Sequence, residues 1–247
     1  KPTRQAHLPF FNPAGGSFKG LPEAPSDDAI RLLLSPNNTN SPFSSVVFGE
    51  ENRGNMNILR DFAFTSLSRI DRVAHDCSFG IFASSGQGKS HVVRTFANAT
   101  GLPFVNVPSK TLKSCDDLFD KILLDYSRES FKGDALSESN QSFPKIEKLD
   151  RDDYQYMLPP MIVFLDEAHA IPKAMMQAGL LTAMERDDHH MVVNHEAQSV
   201  VVDTRNVCWV LATTEKGRLF DAFINRMSAL IEWQNAGYEE LAQIVNM

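Results

Sequence analysis

The sequence predicts an α/β fold, a parallel sheet covered by helices on both faces, and three observations carry that expectation. Five short apolar runs, at residues 78–82, 104–107, 161–165, 207–212 and 229–233, have the length and composition of buried strands. Helical periodicity intervenes between them, with apolar residues three and four apart at 55–73, 114–126 and 174–185. A chain of 247 residues with 43% hydrophobic content can bury one large core. Strands that alternate with helices pair in parallel, because each crossover returns the chain to the same end of the sheet.

In chain order, residues 1–45 are rich in Pro, Gly, Ser and Asn, with one short apolar helix candidate at 28–34. They read as an irregular arm, either disordered or draped over a neighbour. Residues 46–235 then form the core. Its first helix, at 55–73, leads to strand 78–82, and a helix over 91–100 ends at the turn Gly101-Leu102. After strand 104–107 and helix 114–126, residues 127–155 are polar and charged, as expected of a surface insertion. Met191-Val192-Val193 and residues 199–203 read as two strands of a hairpin spanning 191–203. A short helix is expected over 217–227, before the last strand.

Composition excludes several classes. No apolar run approaches a membrane span, so no membrane partner is expected. The net charge of −7 argues against indiscriminate coating of nucleic acid, although a ring of subunits can concentrate a few basic residues in its pore. Cys77, Cys115 and Cys208 are odd in number and lack metal-ligand spacing, which predicts reduced buried thiols and a cytoplasmic location. His189, His190 and His195 are too irregularly spaced to join Cys208 in a zinc site.

The chemistry lies at strand ends. Ala83-Ser84-Ser85-Gly86-Gln87-Gly88-Lys89-Ser90 follows the strand at 78–82 and opens a helix, the context of a phosphate-binding P-loop. The backbone N–H groups of residues 85–89 can line a concave anion site at a positive helix terminus. Lys89 adds a mobile charge for the β- and γ-phosphates, and the Ser90 hydroxyl is a ligand for Mg2+. Ala83 stands where the pattern has Gly, at a position that needs no positive φ.

The strand 161–165 ends in Asp166-Glu167. An acidic helix cap would look the same in isolation, but the P-loop upstream favours Asp166 as a Mg2+ ligand. Glu167 then becomes the group that polarises the attacking water. The strand 207–212 ends in Thr213-Thr214, and Thr214 is the candidate to sense the γ-phosphate. Arg226, in Phe223-Ile224-Asn225-Arg226-Met227, suits an arginine finger reaching a neighbouring subunit, with Arg218 in reserve; a surface ion pair is the rival role.

With these motifs in this order, the chain resembles the AAA+ ATPases, and within them the RuvB-type Holliday-junction branch-migration motors. Val47-Phe48-Gly49-Glu50 is similar to the family's Phe-Ile-Gly-Gln, and Phe164-Leu165-Asp166-Glu167-Ala168-His169 to its Phe-Ile-Asp-Glu-Ile-His. Leu181-Thr182-Ala183-Met184-Glu185 resembles Tyr-x-Ala-Met-Glu, and Ala212-Thr213-Thr214 matches Ala-Thr-Thr. Residues 238–245, from Tyr238 through Leu241-Ala242-Gln243-Ile244-Val245, resemble the start of the family's lid, so 236–247 is expected to open a lid helix.

The resemblance implies an AAA+ large domain with five parallel strands in the order 5-1-4-3-2. It also implies ATP and Mg2+ as cofactors. Ser85, Gly86, Gln87, Gly88, Lys89, Ser90 and His91 would hold the phosphates, with Phe48, Gly49 and Tyr238 contributing to the nucleotide pocket. It further implies a homo-oligomeric ring, with a hexamer as the candidate size, acting on DNA, and a protein-partner surface at hairpin 191–203. An ATP-switched loader, or a MoxR-like remodeller of proteins, is the alternative. The family's Leu-Arg-Asp-Arg-Phe keeps only its second Arg here, and no residues match the remainder of the family's lid domain or its DNA reader. DNA contacts therefore cannot be assigned to residues. A DEAH-box helicase, suggested by Asp166 to His169, would need a second RecA-like domain, for which there is no room.

Overall fold

The computed structural model describes residues 26–68, 77–134, 147–148, 156–185, 187, 189–195, 197–234, 237 and 242. Residues 1–25 of the expected arm, Tyr238 and nearly all of the expected lid helix lie outside them, as do 69–73 of the first core helix.

Five apolar strands pair in parallel: β1 (Phe79–Phe82), β2 (Phe104–Pro108), β5 (Met161–Asp166), β8 (Val207–Thr213) and β9 (Ala229–Glu232). Their spatial order is β2-β5-β8-β1-β9, which is the expected 5-1-4-3-2 read from the opposite edge. Alternation sorts their side chains between two cores, because successive residues of a strand face opposite sides. Val163, Leu165, Trp209 and Leu211 join one buried cluster. Ile162, Phe164, Cys208 and Val210 join the other. Both faces are apolar, so these strands read as continuous hydrophobic runs.

Helices cover each face. On one side lie α1 (Asp27–Leu34), α2 (Arg53–Ser68) and α3 (Lys89–Thr100), with Ile30, Leu34, Met56, Leu59, Val93 and Phe96 buried among them. The helix expected at 28–34 within the arm is present as α1, and residues 26–45 pack on the core. The cause is a helix cap and an apolar face: the Ser26 hydroxyl accepts from the Ala29 N–H, and Ile30, Leu34 and Phe43 reach the core.

The other side is covered by α4 (Cys115–Asp134), whose buried face carries Leu118, Phe119, Ile122 and Tyr126. This helix continues eight residues past the expected end at 126, into the segment read as an insertion. A second sheet lies on this side, in the order β3-β4-β7-β6. It comprises β3 (Glu147–Lys148), β4 (Tyr156–Met157), β6 (His190–His195) and β7 (Gln198–Asp203). The last two form the expected antiparallel hairpin, with Ala197 at φ 62° in its turn. Strands β3 and β4 were not foreseen, since each has only two residues and too little pattern to read.

The helix expected over 174–185 is divided into α5 (Lys173–Met175), a π-helical turn (Met176–Leu180) and α6 (Leu181–Ala183). Packing at Gly179 accompanies the division, because a Cβ there would lie 2.6 Å from the Cys115 sulfur. Over 217–227 the chain forms a 3-10 turn (Lys216–Arg218) and the short α7 (Asp221–Ile224). The extended backbone at Leu219 and Phe220 between them brings Leu219 and Phe223 into the core.

One polar clamp joins the chain before α2 to the end of the sheet. The buried Asn52 donates to the Gln234 carbonyl (3.1 Å) and accepts from the Gln234 N–H (2.9 Å). Asn55 donates to the Glu232 carbonyl at 2.8 Å and to Asn52 at 3.1 Å.

Two substitutions test this packing. Asn52→Ala strands the Gln234 backbone groups and should cost about 1–3 kcal/mol in urea unfolding, with an unchanged denaturant slope. Gly179→Ala should cost about 1–3 kcal/mol through overpacking. Most of that loss should vanish when Cys115→Ala is added; a loss unaffected by Cys115→Ala would mean the clash is not its source.

Candidate functional site

Parallel pairing delivers three strand ends to one edge. Strand β8 lies between β1 and β5, so Thr213 and Thr214 sit between the P-loop on one side and Asp166-Glu167 on the other. Register fixes the level: Phe82 pairs with Thr213, and the Ala83 N–H donates to the Thr213 carbonyl at 3.3 Å. Leu165 pairs with Leu211 across the other boundary.

The P-loop leaves β1 and enters α3 through two left-handed glycines, Gly86 (φ 78°) and Gly88 (φ 76°). A side chain at either position would strain the backbone. Gly88 caps α3 without a side-chain hydrogen bond, so the first-turn N–H groups remain available to an anion. Ser85, Gly86, Gly88, Ser90 and His91 are exposed, and Gln87 is half-buried. Lys89 is buried, and its ammonium donates to the carbonyls of Ala83 (3.0 Å) and Ser84 (3.2 Å). Its charge is therefore held inside the loop.

The 3-10 turn Pro42–Ser45 meets the helix that follows this loop. His91 Nε2 lies 3.1 Å from the Ser45 carbonyl. Phe48 packs against the α1–α3 core, and Gly49 precedes the 3-10 turn that leads to α2.

Across the edge, Asp166 is half-buried and its Oδ1 accepts the Glu167 N–H at 3.0 Å. Glu167 adopts left-handed geometry (φ 55°, ψ 49°), a conformation that costs a non-glycine residue about 1–2 kcal/mol. Such strain clusters at sites where geometry matters more than stability. The Thr214 hydroxyl donates to Glu167 Oε2 at 3.2 Å, so two predicted site residues from different strands are in contact.

Three residues here had no assigned role from sequence. His169 Nδ1 lies 2.7 Å from Thr213 Oγ1 and 3.3 Å from Glu167 Oε2, while its Nε2 lies 3.3 Å from Glu215 Oε1. Thr213 Oγ1 accepts the Glu215 N–H at 3.0 Å. Arg218 donates to both Glu215 oxygens, at 3.1 and 2.9 Å. That hydrogen bond, and then the guanidinium charge, hold the Glu215 carboxyl below its usual range. The available signal was His169, two residues past Glu167, returned to the site by the 3-10 turn Ala168–Ala170.

Arg226 is elsewhere. It donates to the Ala222 carbonyl at 2.9 Å and pairs with Glu185, and neither partner belongs to the phosphate loop. Arg218 reaches the cluster only through Glu215. A depression of about 280 Å³, lined by Thr111, Lys113, Asp117, Asp120, Lys121 and Leu124, shares no residue with this site. Among the described residues no three His, Cys, Asp or Glu side chains converge as a metal site, and no helix is long and apolar enough to cross a membrane.

Residues 80–235 match the AAA family, ATPases associated with various cellular activities. No curated protein matches the chain in sequence. Among solved structures, one variant of Thermotoga maritima RuvB superposes with a TM-score of 0.51 at 16% identity, covering 81% of this chain and 50% of that one. Another superposes with the same score and identity over 86% of this chain and 53% of that one. A closed state of Hsp104 with ATPγS and FITC casein gives 0.57 at 14% identity, covering 91% of this chain and 39% of that one. The chain thus spans about half the length of the RuvB structures it matches and less of Hsp104, and at these identities the likeness is one of fold. With a P-loop, the Asp166-Glu167 strand end and a five-stranded parallel sheet over the matched segment, the chain belongs to the AAA family of ATPases.

Proposed function

We propose that this chain is the ATPase core of a ring-forming motor that acts on DNA, in a branch-migration or remodelling role like that of the RuvB-type motors. The observation that carries the catalytic part is the Thr214–Glu167 hydrogen bond at the sheet edge shared with the P-loop. Glu167 orients and polarises a water for attack on the γ-phosphate, and Thr214 fixes its carboxylate. Lys89 exchanges its loop carbonyls for the β- and γ-phosphates, and Ser85 to His91 hold the phosphate chain. Phe48, Gly49 and Tyr238 form the base side of the pocket.

The residues fit Mg2+ arriving with the nucleotide. Ser90 presents an exposed hydroxyl in the first turn of α3, and Asp166 a half-buried carboxylate at a strand end. Two oxygen donors leave the remaining shell to phosphate and water, as Mg2+ prefers. When bound, Mg2+ neutralises charge developing on the phosphates.

Support for DNA comes from the RuvB-like segments Ala183-Met184-Glu185 and Leu241-Ala242-Gln243-Ile244-Val245. A protein substrate, handled by a MoxR-like remodeller or ATP-switched loader, is the second reading. It is favoured by the net charge of −7; hairpin β6–β7, where Val192 is 47% exposed, offers a surface to a protein partner under either reading. The buried free thiols Cys77, Cys115 and Cys208 accord with a cytoplasmic location.

Steady-state hydrolysis by the full-length natural protein, with and without duplex or four-way-junction DNA, tests the motor. Glu167→Gln should lower kcat by at least about 100-fold while nucleotide binding persists. Stimulation by DNA that disappears in Glu167→Gln supports a DNA motor. Glu167-dependent hydrolysis indifferent to every DNA tried would move the assignment to a protein substrate.

Arg226 is assigned to the neighbour's site, so Arg226→Ala should lower kcat by about 1,000-fold. Mixing Arg226→Ala with Lys89→Ala subunits should restore part of the activity, because one supplies an intact loop and the other an intact finger. A mixture as inactive as its components would remove Arg226 from that role.

A further inference from the structure

We propose that His169 is a positioning residue that relays the state of the Glu215–Arg218 pair to the Glu167 carboxylate. The proposal rests on the reading of Glu167 as the water-polarising group. Its basis is a continuous set of contacts from an exposed guanidinium to that carboxylate. Arg218, with its side chain 63% exposed, grips both Glu215 oxygens; Glu215 faces His169 Nε2; His169 Nδ1 faces Glu167 Oε2 and Thr213 Oγ1.

The imidazole is well suited to this because its side chain is only 9% exposed and both nitrogens face an oxygen. A neutral ring carries one proton. With that proton on Nε2, His169 turns a donor towards Glu215 Oε1, 3.3 Å away, and Nδ1 accepts from the Thr213 hydroxyl. Thr213 can donate there, because its oxygen already accepts the Glu215 N–H at 3.0 Å. Glu167 is then held by Thr214 alone. With the proton on Nδ1, His169 donates towards Glu167 and Thr213, and its hold on Glu215 is lost. The tautomer decides which carboxylate the ring holds.

Arg218 biases that choice. A Glu215 carboxylate occupied by Arg218 is a poorer acceptor for Nε2–H than a free one. Any partner that draws Arg218 away makes Glu215 the better partner for His169 and takes from Glu167 the contact that aims it at the water. The left-handed backbone at Glu167 leaves its side chain dependent on such contacts for its aim.

The conservative substitutions separate the two halves of the ring. Asn places a donor near the position of Nδ1, and Gln places one near Nε2. In full-length protein, His169→Ala should lower kcat about tenfold or more, with KM for ATP within about twofold and an unchanged melting temperature. His169→Asn should recover part of kcat. Glu215→Gln should change kcat at least about threefold beside His169, and should have no further effect beside His169→Ala or His169→Asn.

Additive effects of Glu215→Gln and His169→Ala, a wild-type kcat for His169→Ala, or a kcat loss that follows a fall in melting temperature would each overturn the relay. Glu167→Gln measured in parallel tells the two failures apart. Loss of hydrolysis in Glu167→Gln without His169–Glu215 coupling rejects the relay alone. Hydrolysis that survives Glu167→Gln rejects the reading beneath it, and the relay with it.

Discussion

The register of three parallel strands, β1, β8 and β5, is the constraint on which the rest of this molecule depends. Each crossover helix returns the chain to the same end of the sheet, so every strand points its carboxyl end at one edge. The P-loop, the Thr213-Thr214 pair and the Asp166-Glu167 pair are far apart in sequence and meet only there. A shift of one residue in β8 would turn Thr213 and Thr214 to opposite faces and break both hydroxyl contacts. The two apolar cores oppose such a shift, since it would drive Trp209 and Leu211 into the core packed around Val210, and Val210 into theirs.

The same edge carries the local strain. Gly86 and Gly88 adopt positive φ without penalty, whereas Glu167 adopts it as a side-chain-bearing residue. Stability spent at Glu167 is recovered by contacts around it: Asp166 accepts its N–H, Thr214 donates to its carboxylate, and the Ala170 N–H closes a turn on its carbonyl at 2.8 Å. A rigid sheet thus presents a side chain whose direction is set by hydrogen bonds rather than by packing. That makes Glu167 adjustable on a fixed strand end.

Much of this was legible from local pattern. Apolar runs of four to six residues located all five strands of the main sheet, most clearly the central β1, β5 and β8, which are buried on both faces and have few polar positions to blur the signal. The P-loop and the Asp166-Glu167 pair were legible because their chemistry sits within a few consecutive residues. Other features were not. Strands β3 and β4 are too short to carry a period. The π-helical turn at 176–180 packs its Gly179 against Cys115, from a distant part of the chain. The ordering of residues 26–45 depends on α2 and α3, which offer an apolar surface that no window on the arm reveals. His169 was visible in the Asp-Glu-Ala-His run, but its contacts with Thr213 and Glu215 are made across a strand boundary.

The sequence by itself determined the fold class, the strand positions and the types of group available for phosphate chemistry, because these follow from short-range periodicity and from residues adjacent in the chain. The strand order followed only with the family resemblance. Only the tertiary structure decided which of those groups touch. It joined Thr214 to Glu167, set His169 between two carboxylates, and gave Arg226 to Glu185 rather than to the phosphate loop of its own subunit. The physical reason is that hydrogen bonds act over about 3 Å, a distance that sequence spacing cannot specify once the partners belong to different strands.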